Sequence, residues 1–303
     1  MKRAIALLAV LSACAPITVA GAAQSVLIVA RSTVTTLAAD SDNVAYATSR
    51  SALDTCDHVF LWQRPTHRAF QLGKNKRCAG EHGVAGLAVP GGRVLWVTWA
   101  GGKVHEWQLW TATGGRTAPR QLLSDTRSAD EQQPIIVGSA GGGLLPYAVD
   151  SAVTVLRSNG STAFSWSGAS SVVALAAAGG RVAVVEQGGR VTVLDARGKV
   201  ASVDLYASDV SAVAFVAKGL LVQRGSLLEH RREAETHEYT ISADSRLVAA
   251  EGRSAVWSDG KVVHVMRLLD GAQTATFVGS WATLVGNRLY IANGRTITVR
   301  TIR

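Results

Sequence analysis

Between Val172 and Leu205 the chain reads VVALAAAGGRVAVVEQGGRVTVLDARGKVASVDL. Three Val-rich runs, Val172–Ala177, Arg181–Glu186 and Arg190–Asp195, are separated by Gly179-Gly180 and Gly188-Gly189. Each run has about the length of an ordinary strand. Gly-Gly supplies the positive φ that a tight hairpin requires. Val182 and Val184 point one way and Ala183 and Val185 the other, so both faces of this strand are apolar and need cover. The fourth run alternates: Ala201, Val203 and Leu205 share one face, Ser202 and Asp204 the other, as in a strand covered on one side. A helix is excluded because the glycine pairs recur too often for a 3.6-residue stripe to survive. Inner strands covered on two faces and an outer strand covered on one describe the blade of a β-propeller.

The same four-strand rhythm recurs along the chain. Units span Thr33–Leu72, Val84–Leu123, Ile135–Trp166, Val172–Leu205, Val210–Ile241 and Arg246–Val278. In the second, the outer strand near Arg120–Leu123 is weakly marked. A seventh unit, Trp281–Arg300, has only three strands, while the lone strand Ser25–Val29 lacks a unit. That strand can complete the seventh unit, which closes the ring and removes two open sheet edges. Seven units of about 40 residues fit the usual repeat length. Long connections in the first two units leave six or eight blades as alternatives. The expected fold is all-β: one propeller of seven four-stranded blades, closed by an N-terminal strand, and monomeric.

The segments GRVTVLDARGKVASV (Gly189–Val203) and NRLYIANGRTITVRTI (Asn287–Ile302) resemble the strand signatures of YVTN-type and NHL-type bacterial propellers. The likeness is one of rhythm over most of the chain, and no unit matches tightly. The Gly-His…Trp-Asp signature of eukaryotic WD repeats, the tryptophan docking motif of quinoprotein propellers and the Asp-box of sialidases are all missing. The resemblance implies a fold and no particular reaction.

The first residues, MKRAIALLAVLSACAPITVAGAAQS, carry Lys2 and Arg3, an apolar run from Ala4 to Ala15, and then small residues. This is the architecture of a secretory signal. Ala20-Gly21-Ala22 fits a cleavage site, which gives a leader of residues 1–22 and a single domain over 23–303. Leu11-Ser12-Ala13-Cys14 also fits a lipobox, with a leader of residues 1–13 and lipidation at Cys14. The apolar run is shorter than the ~20 residues that span a bilayer. Export would place Cys56 and Cys78 in an oxidising compartment. They flank the start and the end of an expected hairpin, His58–Gln63 with Arg68–Leu72, so a disulfide between them is geometrically reasonable. In the chain-entropy view it would contribute on the order of 3 kcal/mol. A metal site using His58, His67 and His82 lacks the zinc-type spacings.

Of the 303 residues 48% are hydrophobic and 17% charged, with a formal net charge of +9. Such a balance permits contact with an anionic envelope polymer. The basic residues are scattered, however, and the densest spots, Lys74–Arg77 and Arg231-Arg232, are too small for nucleic-acid arms. The expected innermost strands (TVTTLAA, VAGLAV, IIVGS, VVALAAA, VSAVAF, RLVAA, WATLV) are small and apolar, with no acidic residue inside them. A lactonase-like channel metal needs converging Glu, Asp, Asn or His. No Gly-x-Ser-x-Gly elbow is present. Gly138–Gly143 lacks the Lys-Ser/Thr of a phosphate loop and reads as a hairpin turn. No cofactor, metal or catalytic set is therefore assigned.

The aromatic residues are uneven. Trp96, Trp99, Trp107 and Trp110 all fall in the second unit, with opposite parity within each pair. One of each can fill the seam between blades while the other points to the neighbouring blade or the edge. With Arg93 and His105 they form the candidate interaction surface, beside the disulfide-linked hairpin. The expected function is an exported, non-enzymatic scaffold for a protein or an anionic envelope polymer. The alternatives are a lyase, hydrolase or quinoprotein-like enzyme with a loop-borne site, or a lipid-anchored accessory subunit.

Overall fold

The computed structural model describes residues 25–50, 56–73, 78, 80–114, 118–206, 210–232 and 235–302. The leader, its cleavage site and Cys14 lie outside these residues. The described residues form seven four-stranded antiparallel sheets.

Strand β1 (Ser25–Val29) precedes blade 1, which is β2 (Val34–Ala39), β3 (Asn43–Thr48), β4 (His58–Gln63) and β5 (Arg68–Leu72). Blade 2 is β6 (Glu81–Ala88), β7 (Arg93–Gly101), β8 (Val104–Thr113) and β9 (Arg120–Ser128). Blade 3 is β10 (Ile135–Val137), β11 (Leu144–Val149), β12 (Ala152–Arg157) and β13 (Thr162–Ser167). Blade 4 is β14 (Val172–Ala178), β15 (Arg181–Glu186), β16 (Arg190–Leu194) and β17 (Val200–Leu205). Blade 5 is β18 (Val210–Val216), β19 (Gly219–Arg224), β20 (Leu227–Arg232) and β21 (Glu235–Thr240). Blade 6 is β22 (Arg246–Glu251), β23 (Ser254–Ser258), β24 (Val262–Arg267) and β25 (Ala272–Val278). Blade 7 has β26 (Trp281–Val285), β27 (Arg288–Asn293) and β28 (Thr296–Thr301), and β1 pairs with β28 as its fourth strand. The ring closes as the unpaired first strand predicts.

Each seam between blades is a separate apolar layer. On β15, Val182 and Val184 pack toward blade 3 and Ala183 and Val185 toward blade 5, all fully buried. Complete burial of a Val side chain is worth ~2 kcal/mol, so the apolar runs of the middle strands hold the ring together. Polar atoms tie the seams at their ends. Asp40 accepts from the backbone N–H of Asn43 (2.8 Å) and of Gly92 in blade 2 (3.2 Å). The indole N–H of Trp281 donates to the Leu37 carbonyl at 3.1 Å, joining blade 7 to blade 1. At the blade 4–5 seam, Glu229 is 4% exposed and accepts from Arg231 (2.7 Å) and Arg224 (3.2 Å). Arg231 also lies 3.8 Å over the Tyr206 ring and pairs with Asp204 of β17.

Three expectations need correction. First, the innermost strands are not free of acidic residues: β6 begins at Glu81 and β22 ends at Glu251. The long β7 gives Glu81 and His82 pairing partners in Gly101 and Ala100, which draws them into the ladder. Second, β9 is a full strand of nine residues. Its polar second half, Ser124–Ser128, follows the extended β8 and not its own propensity. Third, β17 has no covered apolar face: Val203 is 42% and Leu205 73% exposed. As the outermost strand of blade 4 it keeps its apolar side chains outside the cover of the neighbouring blades, while Asp204 still reaches Arg231 of blade 5. Five inner strands also share a register shift, at Thr35, Ala85, Val173, Ser211 and Val248. A bulge bends a strand locally, as a narrow ring centre demands.

Candidate functional site

Blade 2 has the longest strands of the ring, ten residues in β8 and nine in β7 and β9, whereas its neighbours β4 and β5 have six and five. Part of the blade 2 face turned toward blade 1 therefore extends past the strands that would cover it. A cavity of about 500 Å³ lies at this mismatch.

Period-two alternation decides which side chains enter it. On β8, Glu106, Gln108 and Trp110 share the blade-1 face, opposite Ala100, Thr98 and Trp96 of β7. Trp96 is 4% exposed and Trp110 half-buried, and both pack on the seam with Val59, Leu61 and Leu72 of blade 1. The Trp110 indole N–H donates to Thr98 Oγ1 at 3.1 Å, which fixes the ring, and Gln108 Nε2 donates to Glu106 Oε1 at 2.7 Å. From blade 1 come Asp57 and His58. His82 Nδ1 donates to Asp57 Oδ2 at 2.6 Å, and Gln71 Nε2 donates to His58 Nδ1 at 3.1 Å. Cys56 and Cys78 form a disulfide with Cα atoms 5.2 Å apart, and Cys78 lines the cavity. The cleft is thus an aromatic and aliphatic wall with hydrogen-bonding groups along one side, the usual make-up of a small recognition pocket.

The remaining candidate residues lie mainly on other surfaces, although Trp99 also lines this cavity. Trp99 pairs with Trp107 across the strands on the opposite face, and Trp107 is 8% exposed. His105 packs at a tilt against Trp99, with centroids 4.6 Å apart and an interplanar angle of 42°, and lies edge-on to Trp107. Gly83 is required here, because a Cβ would sit 2.6 Å from the Trp99 indole nitrogen. Arg93 stands at the start of β7, whereas His105 pairs with Gly101 at its far end. The structure therefore joins Trp96 and Trp110 in one group and Trp99, His105 and Trp107 in a second, with Trp99 also reaching the edge of the cavity, and Arg93 with neither. His67 lies against Trp62, away from His58 and His82. Among the described residues no three His, Cys, Asp or Glu side chains are grouped as metal ligands. Asp57, Thr98 and Gln108 were missed by sequence reasoning. The shared parity of Thr98 and Gln108 with Trp96 and Trp110 is readable, but Asp57 precedes β4 and the uncovered stretch depends on the strand lengths of two blades.

The chain matches no known family profile and no curated protein. Among solved structures it is similar to the WD40 beta propeller domain of Doa1, at 11% identity over 91% of this chain and 95% of that one, with a TM-score of 0.60. A chain of the Mitotic Checkpoint Complex is similar at 14% identity, over 91% and 94% of the two chains, also with a TM-score of 0.60. Raptor of Chaetomium thermophilum gives 12% identity and a TM-score of 0.56, over 91% of this chain and 29% of that one. At such identities the likeness speaks for architecture alone: the chain is a seven-bladed β-propeller.

Proposed function

We propose that the protein is an exported, non-enzymatic propeller that binds a protein partner at the cleft between blades 1 and 2, with residues 23–303 as its single domain. The observation that carries this reading is the cleft itself. Here Trp96, Trp110, Val59 and Leu72 line a cavity of about 500 Å³, open to a partner's side chain. Ordered aromatic walls beside fixed polar groups are what interface anchors require. Export is supported by the leader pattern and by the Cys56–Cys78 bridge, a bond that persists in oxidising compartments. Among the described residues no helix is long and apolar enough to cross a membrane. The polymer alternative finds no lysine or arginine among the described residues lining this cleft, which supplies the carboxylates of Asp57 and Glu106.

A photo-crosslinking residue placed at Gln108, in the protein expressed in its own cells, tests the reading. A discrete protein adduct is expected at this position and not at Thr276 on the rim of blade 6, and Trp110→Ala should abolish it. Equal adducts at both positions, or an adduct indifferent to Trp110, would refute the cleft as the contact. Intact mass of the mature chain separates cleavage after Ala22 from lipidation at Cys14.

A further inference from the structure

Arg93 belongs to a second cavity, of about 390 Å³, on the other face and at the other end of blade 2. Arg93 opens β7, Thr113 closes β8 and Arg120 opens β9, and pairing places all three on the face turned to blade 3. The opposite wall is the turn Asn159–Ser161 between β12 and β13. We infer that this cavity binds an oxyanion, a phosphate or carboxylate group carried on a larger molecule. This reading is independent of the cleft between blades 1 and 2 and shares no residue with it.

The argument begins with how Arg93 is held. Its Nε donates to the Ser158 carbonyl and its Nη2 to the Asn159 carbonyl, both at 2.8 Å, and its Nη1 to Thr111 Oγ1 at 3.3 Å. Every one of these acceptors is neutral. The guanidinium has five N–H donors in a rigid fork, so the three bonds fix its plane and leave donors over. The turn is shaped to receive it. Gly160 has φ +86°, and a Cβ there would lie 2.6 Å from Arg93 Cζ.

Charge supplies the second step. Arg120 also lines the cavity, is exposed, and makes no side-chain bond to a described residue. Arg93 titrates below the ordinary arginine range, first because it is desolvated and then because Arg120 repels it. No aspartate or glutamate lies among the described residues lining the cavity. Five other arginines, Arg127, Arg190, Arg224, Arg231 and Arg267, differ by having a carboxylate partner. Two guanidinium groups facing one cavity without a counter-charge favour an anion, and Arg forks match the oxygens of phosphate and carboxylate in particular. The volume exceeds that of a free inorganic anion, and Arg120, Asn159 and Ser161 at the rim are exposed, so a group on a longer chain can enter.

The test titrates inorganic phosphate and acetate separately into the full protein, with chloride holding the ionic strength constant, while the Arg93 Nε–H and Gly160 amide signals are followed by NMR. Saturable shifts are expected, with affinity at least tenfold weaker in Arg120→Gln and unchanged in Lys261→Gln. Saturation by phosphate alone assigns the site to phosphate esters, by acetate alone to carboxylates, and by both to oxyanions in general. Shifts that never saturate, or that are the same in Arg120→Gln as in the native protein, overturn the proposal.

Discussion

Replacing Cys56 and Cys78 together by serine removes the one covalent link between the ends of the β4–β5 hairpin. The two cysteines are 22 residues apart in sequence. For a loop of that size the chain-entropy relation gives about 11 cal/mol/K, or about 3.4 kcal/mol at 25 °C, released from the unfolded state when the link is cut. The hairpin is also held natively: Val59, Leu61 and Leu72 pack on Val94, Trp96 and Ala112 of blade 2. Those contacts survive the substitution, so the native structure should persist and the loss should appear in global stability. The assay is equilibrium urea unfolding of the oxidised protein and of the double variant, followed by tryptophan fluorescence. With an m-value of about 3 kcal/mol/M, the midpoint should fall by about 1 M. Reduction of the native protein should reproduce the shift. A midpoint displaced by less than about 0.2 M would refute the reasoning and show that blade 1 unfolds apart from the ring.

Two further outcomes are expected. Glu229→Ala leaves Arg224 and Arg231 without their shared carboxylate at the blade 4–5 seam and should cost about 3–5 kcal/mol in urea unfolding, with Glu229→Gln costing less; equal stability of all three proteins would show that the cluster is solvated. His230 is 1% exposed, and its pKa is pushed down to about 4 by burial and then by Arg232 and His237. Because the unfolded chain takes up the proton first, stability should be unaffected above pH 6.5 and should fall by up to about 3 kcal/mol between pH 6.5 and 4. His230→Leu should flatten that part of the pH–stability curve, and an unchanged slope would exclude His230 as its source.

The features that were legible in the sequence are those fixed by neighbours along the chain. Glycine pairs such as Gly188-Gly189 require their hairpin wherever they stand, and the two apolar faces of Arg181–Glu186 require a blade on each side. The closure by β1 followed from counting strands, and the disulfide from the ends of one hairpin. What remained hidden depends on two blades at once. Ser124–Ser128 became a strand because β8 beside it runs long, and Glu81 entered β6 because β7 does. The cleft exists because β4 and β5 stop short of β8, a difference that neither unit records by itself. Arg93 was separated from the tryptophans for a related reason. Residues on one strand keep their order, and Arg93 and Trp99 stand near its two ends, on a blade long enough to carry two unlike sites.

The pairing of β1 with β28 has a mechanical consequence. Ser25 stands opposite Val299 and Val29 opposite Thr296, so the chain enters and leaves the ring at the same end of this ladder. Hydrogen bonds between antiparallel strands lie across the strand direction. Traction applied through the segments before β1 and after β28 would therefore pull along those bonds and break them one after another, beginning at Ser25. Loads shared by several bonds in parallel are resisted far better, and blades 1 to 6, each continuous in sequence, would carry such a load only after blade 7 had opened. The clasp that makes the ring complete is also its point of release under tension.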